Sequence, residues 1–322
     1  MKAITYHQYG SPEVLELSEL DKPQPSEEEV LVRVKASSVN PVEWYGMIGL
    51  GVARLQGGWL RPKQPRIGTD FAGVVEEVGA KVTHVQPGDK VYGGRNGAFA
   101  EYVCVRNAVA QMPKNVSFEE AAAVPVAGLT ALQGLRDHGE LQAGQKVLIN
   151  GASGGVGTFA VQIAKALGAE VTGVCSTRNV EQTRKLGADH VVDYSKEDFT
   201  QRGEQYDLFF DIAGGRAWRD CRRVLKKEAT FLIVGAPKGG KLLGPLRYII
   251  PLRLGAVGAS QRVKFFLAQI TREDLDTLRE MIEAGKVRPV VDRSYRLADI
   301  AEAMAYLGKG HAQGKVAISI PG

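Results

Sequence analysis

The chain has 322 residues, of which 44% are hydrophobic and 24% charged, and a formal net charge of +5. Its length suits two domains with full cores, its composition is that of an ordinary globular protein, and its small positive balance alone does not argue for nucleic acid. The three cysteines, Cys104, Cys175 and Cys221, are few, odd in number and widely spaced, which excludes a disulfide framework or a thiolate zinc cluster.

A reducing cytoplasm is therefore the expected compartment. The opening MKAITYHQYG lacks the apolar core of a signal peptide. The uncharged run Ala121 to Leu135 is too short to span a bilayer and contains Pro125.

In chain order, the first ~120 residues read as β-rich. Strands are expected at Val30–Val39, Ala72–Val78, Lys90–Tyr92 and Phe99–Val105, punctuated by Pro87-Gly88-Asp89 and Arg95-Asn96-Gly97. Ser117-Phe-Glu-Glu120 fits a capping box ahead of an alanine-rich helix. From Lys146 the rhythm changes to alternating strand and helix. It continues through His190–Tyr194, Tyr206–Ile212 and Ala229–Val234, the signature of a doubly wound parallel sheet. Leu275, Leu278, Met281 and Ile282 predict a helix over Glu273–Ala284, and Lys315–Ile320 reads as a strand returning to the first domain.

The stretch KVLINGASGGVG, residues 146–157, carries the strongest functional signal. An apolar strand enters a glycine-rich turn, a helical pattern follows, and a second strand begins at Glu170. On the G-x-G-x-x-G fingerprint the chain reads Ala152-x-Gly154-x-x-Gly157. Gly154 lets the backbone approach a pyrophosphate, Gly157 lets the helix pack on the strand, and the phosphates meet a helix N-terminus. The cofactor-binding turn is thus Ala152, Ser153, Gly154, Gly155, Val156 and Gly157. About 20 residues on, an NAD site places a carboxylate against the ribose. Here the second strand ends in Cys175-Ser176-Thr177-Arg178-Asn179. The hydroxyl of Ser176 and the guanidinium of Arg178 suit a 2′-phosphate, so NADPH is expected over NADH.

One stretch departs from ordinary composition. From Ala229 to Arg272 there is no acidic residue, and Leu242–Leu252 within it is strongly apolar. Residues 238–264 are accordingly read either as a cleft cover or dimer interface, or as a basic lid touching lipophilic substrates and the membrane surface.

Seven segments in order resemble the zinc-independent quinone oxidoreductase branch of the medium-chain dehydrogenase/reductase superfamily, and the resemblance runs nearly end to end. They are Ser37–Glu43, Gly68–Gly79, Gly88–Val91, Ala123–Leu132, Ala152–Gly157, Leu186–Asp189 and Gly310–Lys315. The resemblance implies an α/β protein: a Rossmann doubly wound parallel sheet over 124–265, and a GroES-like β-barrel substrate domain over 1–123 and 266–322. It implies a cleft between them, NADPH, and a homodimer. By the same resemblance Asn40 and Tyr45 face the substrate as catalytic donors, and Thr130, Tyr194, Gly214 and Gly235 contact the cofactor.

Where zinc relatives carry their cysteine, histidine and third ligand, this chain has Asn40, Thr69 and Val126. No metal is expected, since catalytic zinc needs three ligands from Cys, His or carboxylate. Without a Lewis acid to hold an alkoxide, the expected acceptors are small lipophilic quinones or α,β-unsaturated carbonyls. A non-catalytic NADPH-binding relative, structural or RNA-binding, shares the same framework. Asn40 and Tyr45 favour the enzyme, and the lack of a long basic run disfavours nucleic acid.

Overall fold

The computed structural model describes residues 1–51, 54, 57–236 and 246–321. Contacts divide it into two compact units: Met1–Leu129 with Ile270–Gly285 and Pro289–Gly322, and Thr130–Gln269 with Lys286–Arg288. The sequence reading puts the joins at 123/124 and 265/266. The first join moves because Gly128 packs beside Leu278, and the second because Phe266 stacks on His138 at 4.3 Å.

The first unit starts with the strands β1 (Lys2–Thr5), β2 (Glu16–Glu19), β3 (Val30–Val39), β4 (Asp70–Val78), β5 (Lys90–Gly94), β6 (Tyr102–Val105) and β7 (Val109–Gln111). The second holds β8 (Lys146–Asn150), β9 (Glu170–Cys175), β10 (His190–Asp193), β11 (Tyr206–Asp211), β12 (Leu225–Ile233) and β13 (Arg262–Phe265). The chain then returns to the first with β14 (Val291–Arg296) and β15 (Lys315–Ser319).

In the first unit the described strands run β14-β15-β3-β4-β5-β7, with β6 also on β3, and β1 pairs with β2. Strand β3 is central, antiparallel to β4, β6 and β15. It buries Val30, Val32 and Val34 in a core with Phe71, Phe99, Val316 and Ile318. The predicted return of Lys315–Ile320 is borne out by the pairing of Val316 with Val39. Strand β6 starts three residues later than predicted, because Ala100 makes only an isolated bridge to Ala3. The capping box at Ser117 is present, with Glu120 N donating to Ser117 Oγ and Ser117 N donating to Glu120 Oε2.

In the second unit the described sheet is parallel, in the order β10-β9-β8-β11-β12-β13. Counted from its own first strand this is 3-2-1-4-5-6, the doubly wound order that places a ligand crevice at the carboxyl ends of its first and fourth strands. Those ends are Asn150 of β8 and Asp211 of β11. Phe209 meets Phe199 and Phe231 edge-on in the buried core of this unit, at 5.8 and 4.8 Å.

The basic apolar segment is only partly within the described residues, since 237–245 lie outside them. Of the rest, Leu246–Gly255 is a helix, and Arg262–Phe265 is no lid but the strand paired with β12. Two of its cations, Arg262 and Lys264, reach Glu140. Among the described residues no helix is long and apolar enough to cross a membrane.

Candidate functional site

In the second unit, the turn after β8 is pinned by Gly151 N and Ala152 N, which both donate to Val174 O of β9 at 3.1 and 3.0 Å. The helix Gly155–Ala166 then starts with Gly154 as N-cap, and no side chain caps it. The first-turn amides of a helix have no partner within it, so this end presents backbone donors. The two fingerprint glycines do different jobs. A Cβ on Gly157 would lie 2.1 Å from Gly151 O and 2.7 Å from Ala152 C, so its absence lets helix and turn pack. A Cβ on Gly154 would lie 3.6 Å from its nearest neighbour, Gly151 O. Nothing inside the protein therefore demands glycine at 154. Ala152 is buried, and Gly155 and Val156 are half-buried.

Ser153 and Ser176 are brought together by Asn179, whose Nδ2 donates to Ser153 Oγ at 2.9 Å and to Ser176 Oγ at 3.1 Å. Sequence reasoning assigned Asn179 no role. Arg178 lies exposed on the turn Thr177–Asn179. Tyr194 is exposed just past β10. The sequence reading found no carboxylate after β9, but the fold supplies one from the neighbouring strand. Asp193 stands opposite Cys175 and accepts from Thr177 Oγ1 at 2.6 Å and from Ser195 N at 3.0 Å. The Thr177 hydrogen bond does most to hold its carboxyl below the usual range. Both oxygens are engaged within the unit.

At the carboxyl ends of β8 and β11, Asp211 is fully buried and gathers three donors. Asn150 Nδ2 and Gly214 N reach Oδ1 at 2.7 and 3.0 Å, and Tyr248 Oη reaches Oδ2 at 2.5 Å. Burial pushes its carboxyl upward, and the bonds from Tyr248 and Asn150 oppose this. Gly214 thus belongs to a strand-end network. Gly235 also has a packing reason, since a Cβ there would meet Ile212 O at 2.1 Å.

The first unit holds a second polar centre. Asp70, fully buried on β4, accepts from Val126 N on Oδ1 at 2.9 Å. Its Oδ2 accepts from Ser38 Oγ at 2.6 Å, Asn40 Nδ2 at 2.9 Å and Lys315 Nζ at 3.3 Å. Lys315, 4% exposed, also donates to Val39 O at 3.2 Å and to Asn40 Oδ1. Asn40 caps the helix Pro41–Met47, and Glu43 Oε2 accepts its backbone N–H at 2.7 Å. Burial, then the Asp70 carboxylate, pushes the Glu43 carboxyl up to about 7, against the Thr69 side chain and the Lys315 charge.

Asn40, expected as a donor to the substrate, is 2% exposed; its Nδ2 donates to Asp70 and its Oδ1 accepts from Lys315, so within this unit it braces the start of the helix. Tyr45, one turn along the same helix, is half-buried, and burial raises its phenol. Thr130 is half-buried on the helix Pro125–Gln133.

Asn40, Thr69 and Val126 offer an amide, a hydroxyl and an aliphatic side chain around an already saturated Asp70. That set does not fit a catalytic zinc. Among the described residues no group of three or more His, Cys, Asp or Glu is placed to hold a metal ion.

Residues 26–114 match the family described as alcohol dehydrogenase GroES-like domain, and residues 186–318 match the one described as zinc-binding dehydrogenase. The chain is 34% identical to the mitochondrial NAD(P)H oxidoreductase RTN4IP1 of Mus musculus over 359 aligned residues, covering 99% of this chain and 89% of that protein. It is 33% identical to the chloroplastic NADPH-dependent alkenal/one oxidoreductase of Arabidopsis thaliana, covering 99% of this chain and 79% of that one. The crystal structure of the Escherichia coli quinone oxidoreductase complexed with NADPH superposes with a TM-score of 0.83 at 28% identity, over 99% of this chain and 100% of that chain. The chain belongs to the medium-chain dehydrogenase/reductase superfamily, among its quinone-oxidoreductase-like members.

Proposed function

We propose that the protein is an NADPH-dependent reductase of quinones or α,β-unsaturated carbonyls that works without zinc. The observation that carries this reading is the uncapped helix start at Gly154, whose missing side chain has no internal cause. Relatives named as an alkenal/one oxidoreductase and as a quinone oxidoreductase complexed with NADPH support it. NADPH, held by the turn Ala152–Gly157 with Ser176 and Arg178 toward its 2′-phosphate, supplies the hydride. The protein's own part is orientation and charge. Tyr45 donates a hydrogen bond to the acceptor oxygen as negative charge builds on it, and Asn40 holds the start of the helix that carries Tyr45.

An NADPH-oxidation assay against 1,2-quinones, 1,4-quinones and small enones tests this. Turnover with at least one class is expected, faster at low cofactor with NADPH than with NADH. Tyr45→Phe should lower turnover by about 100-fold, the usual scale for a proton donor, with the KM for NADPH little changed. Inactivity with every acceptor would favour a non-catalytic NADPH-binding protein, and a preference for NADH would remove the role of Arg178.

The second unit also suggests a homodimer. Among the described residues β13 is an edge strand, and Phe265 and Leu267 beside it are exposed. An uncovered edge with apolar neighbours is a ready surface for a second copy. Analytical ultracentrifugation should find a dimer near 70 kDa, about twice the 34.8 kDa chain. A monomer at micromolar concentration would remove this reading.

A further inference from the structure

The polar centre around Asp70 contains one ionisable group whose environment is incomplete. Asp70 has four donors on its two oxygens, and Lys315 lies against it, so this pair is closed in charge and in hydrogen bonds. Glu43 is as deeply buried, at 4% exposed. Its Oε2 has the backbone N–H of Asn40, but its Oε1 has no hydrogen-bond partner. A buried carboxylate with an unsatisfied oxygen is costly as an anion and much less so as an acid. The charged groups facing it are Asp70 from β4 and Lys315 from β15, and the Thr69 side chain is a hydrogen-bonding neighbour that, like Lys315, favours the carboxylate but does not outweigh burial and Asp70. One cation among two carboxylates balances only one of them.

We propose that Glu43 is the positioning residue that makes this site pH-sensitive. As the neutral acid it leaves the Lys315–Asp70 pair balanced. As the carboxylate it adds an uncompensated negative charge to the helix that carries Tyr45. Its carboxyl is poised near neutrality for this, for the reasons of burial and of Asp70 given above. The consequence rests on the proposed reductase reading. Hydride addition to a quinone or enone builds negative charge on the acceptor oxygen, so a second anion nearby opposes that step. Turnover should therefore fall as pH rises through about 7, while the KM for NADPH, whose phosphates bind in the other unit, stays nearly level.

The test uses the full-length chain and two readouts. In steady-state assays from pH 5.5 to 9, wild-type turnover should drop by about tenfold across the transition, the scale of one nearby charge. Glu43→Gln retains an acceptor for Asn40 N but cannot ionise, so its profile should lack that limb. In parallel, carboxyl carbon NMR of glutamate-labelled protein, with Glu43 assigned by its loss in Glu43→Gln, follows the group itself. A midpoint near neutrality supports the proposal. A Glu43 signal that stays ionised down to pH 5.5 overturns it, as does an alkaline limb unchanged in Glu43→Gln. If no acceptor is reduced at any pH, the reductase reading falls, and the NMR midpoint alone decides whether Glu43 makes the site titrate.

Discussion

Replacing Lys315 by methionine should lower the unfolding free energy by about 3–5 kcal/mol, the usual cost of removing one partner from a buried ion pair. Methionine keeps the apolar stem and deletes the ammonium. Asp70, at 0% exposed, is then left with a charge that no cation balances, and Asn40 Oδ1 and Val39 O each lose a donor. The loss should appear in guanidinium unfolding as a lower midpoint at nearly unchanged slope. Adding Asp70→Asn removes the stranded charge, so the double variant should recover much of the loss despite having one interaction fewer. Additive losses, or an unchanged midpoint in Lys315→Met, would show that the pair carries no stability. The placement bears on chemistry as well. The three positions where zinc relatives carry ligands are here Asn40, Thr69 and Val126. Two of them reach Asp70 directly, through Asn40 Nδ2 and Val126 N. A fixed organic cation and its counter-ion thus organise the centre.

What could be read from the sequence follows from how local each signal is. The turn at 152–157 is specified by neighbours a few residues apart, and its strand-turn-helix context was readable without the fold. The capping relation between Asn40 and Glu43 has the same three-residue spacing as the box at Ser117, so that signal was present but not used. Lys315 and Asp70 are 245 residues apart, and only the antiparallel pairings β15–β3 and β3–β4 bring them together. The local clue was a lysine opening an otherwise apolar strand, which reads as a strand end unless its partner is known. Asp193 was missed for a related reason: its carboxylate meets Thr177 across a parallel pair, where sequence distance says little. Strand β13 was hidden because Arg262–Phe265 is basic and half-exposed at a sheet edge, without the continuous apolar run of an inner parallel strand.

The two fingerprint glycines separate packing from ligand binding: alanine at either should weaken NADPH binding, but only at Gly157 should it also cost stability. At Gly157 the new Cβ would meet Gly151 O at 2.1 Å and Ala152 C at 2.7 Å. Neither backbone atom has room to yield, because Gly151 N and Ala152 N are both tied to Val174 O. The helix must instead move off the turn, so Gly157→Ala should lower the melting temperature and lose NADPH affinity together. At Gly154 the backbone is extended, with φ of −81°, and the nearest atom to a new Cβ is 3.6 Å away. Alanine is compatible there and reduces unfolded-chain entropy, so Gly154→Ala should leave stability unchanged or raise it by about 0.4–1 kcal/mol. In the proposed binding of NADPH the same methyl meets the approaching pyrophosphate. NADPH affinity should therefore fall by about 100-fold, equivalent to about 2.7 kcal/mol, when followed by titration of cofactor fluorescence. A Gly154→Ala protein that is stable and binds NADPH like the wild type would show that the space at this helix start is not a phosphate cradle. A protein that is stable and has lost the cofactor would tie binding to the one glycine that packing does not require.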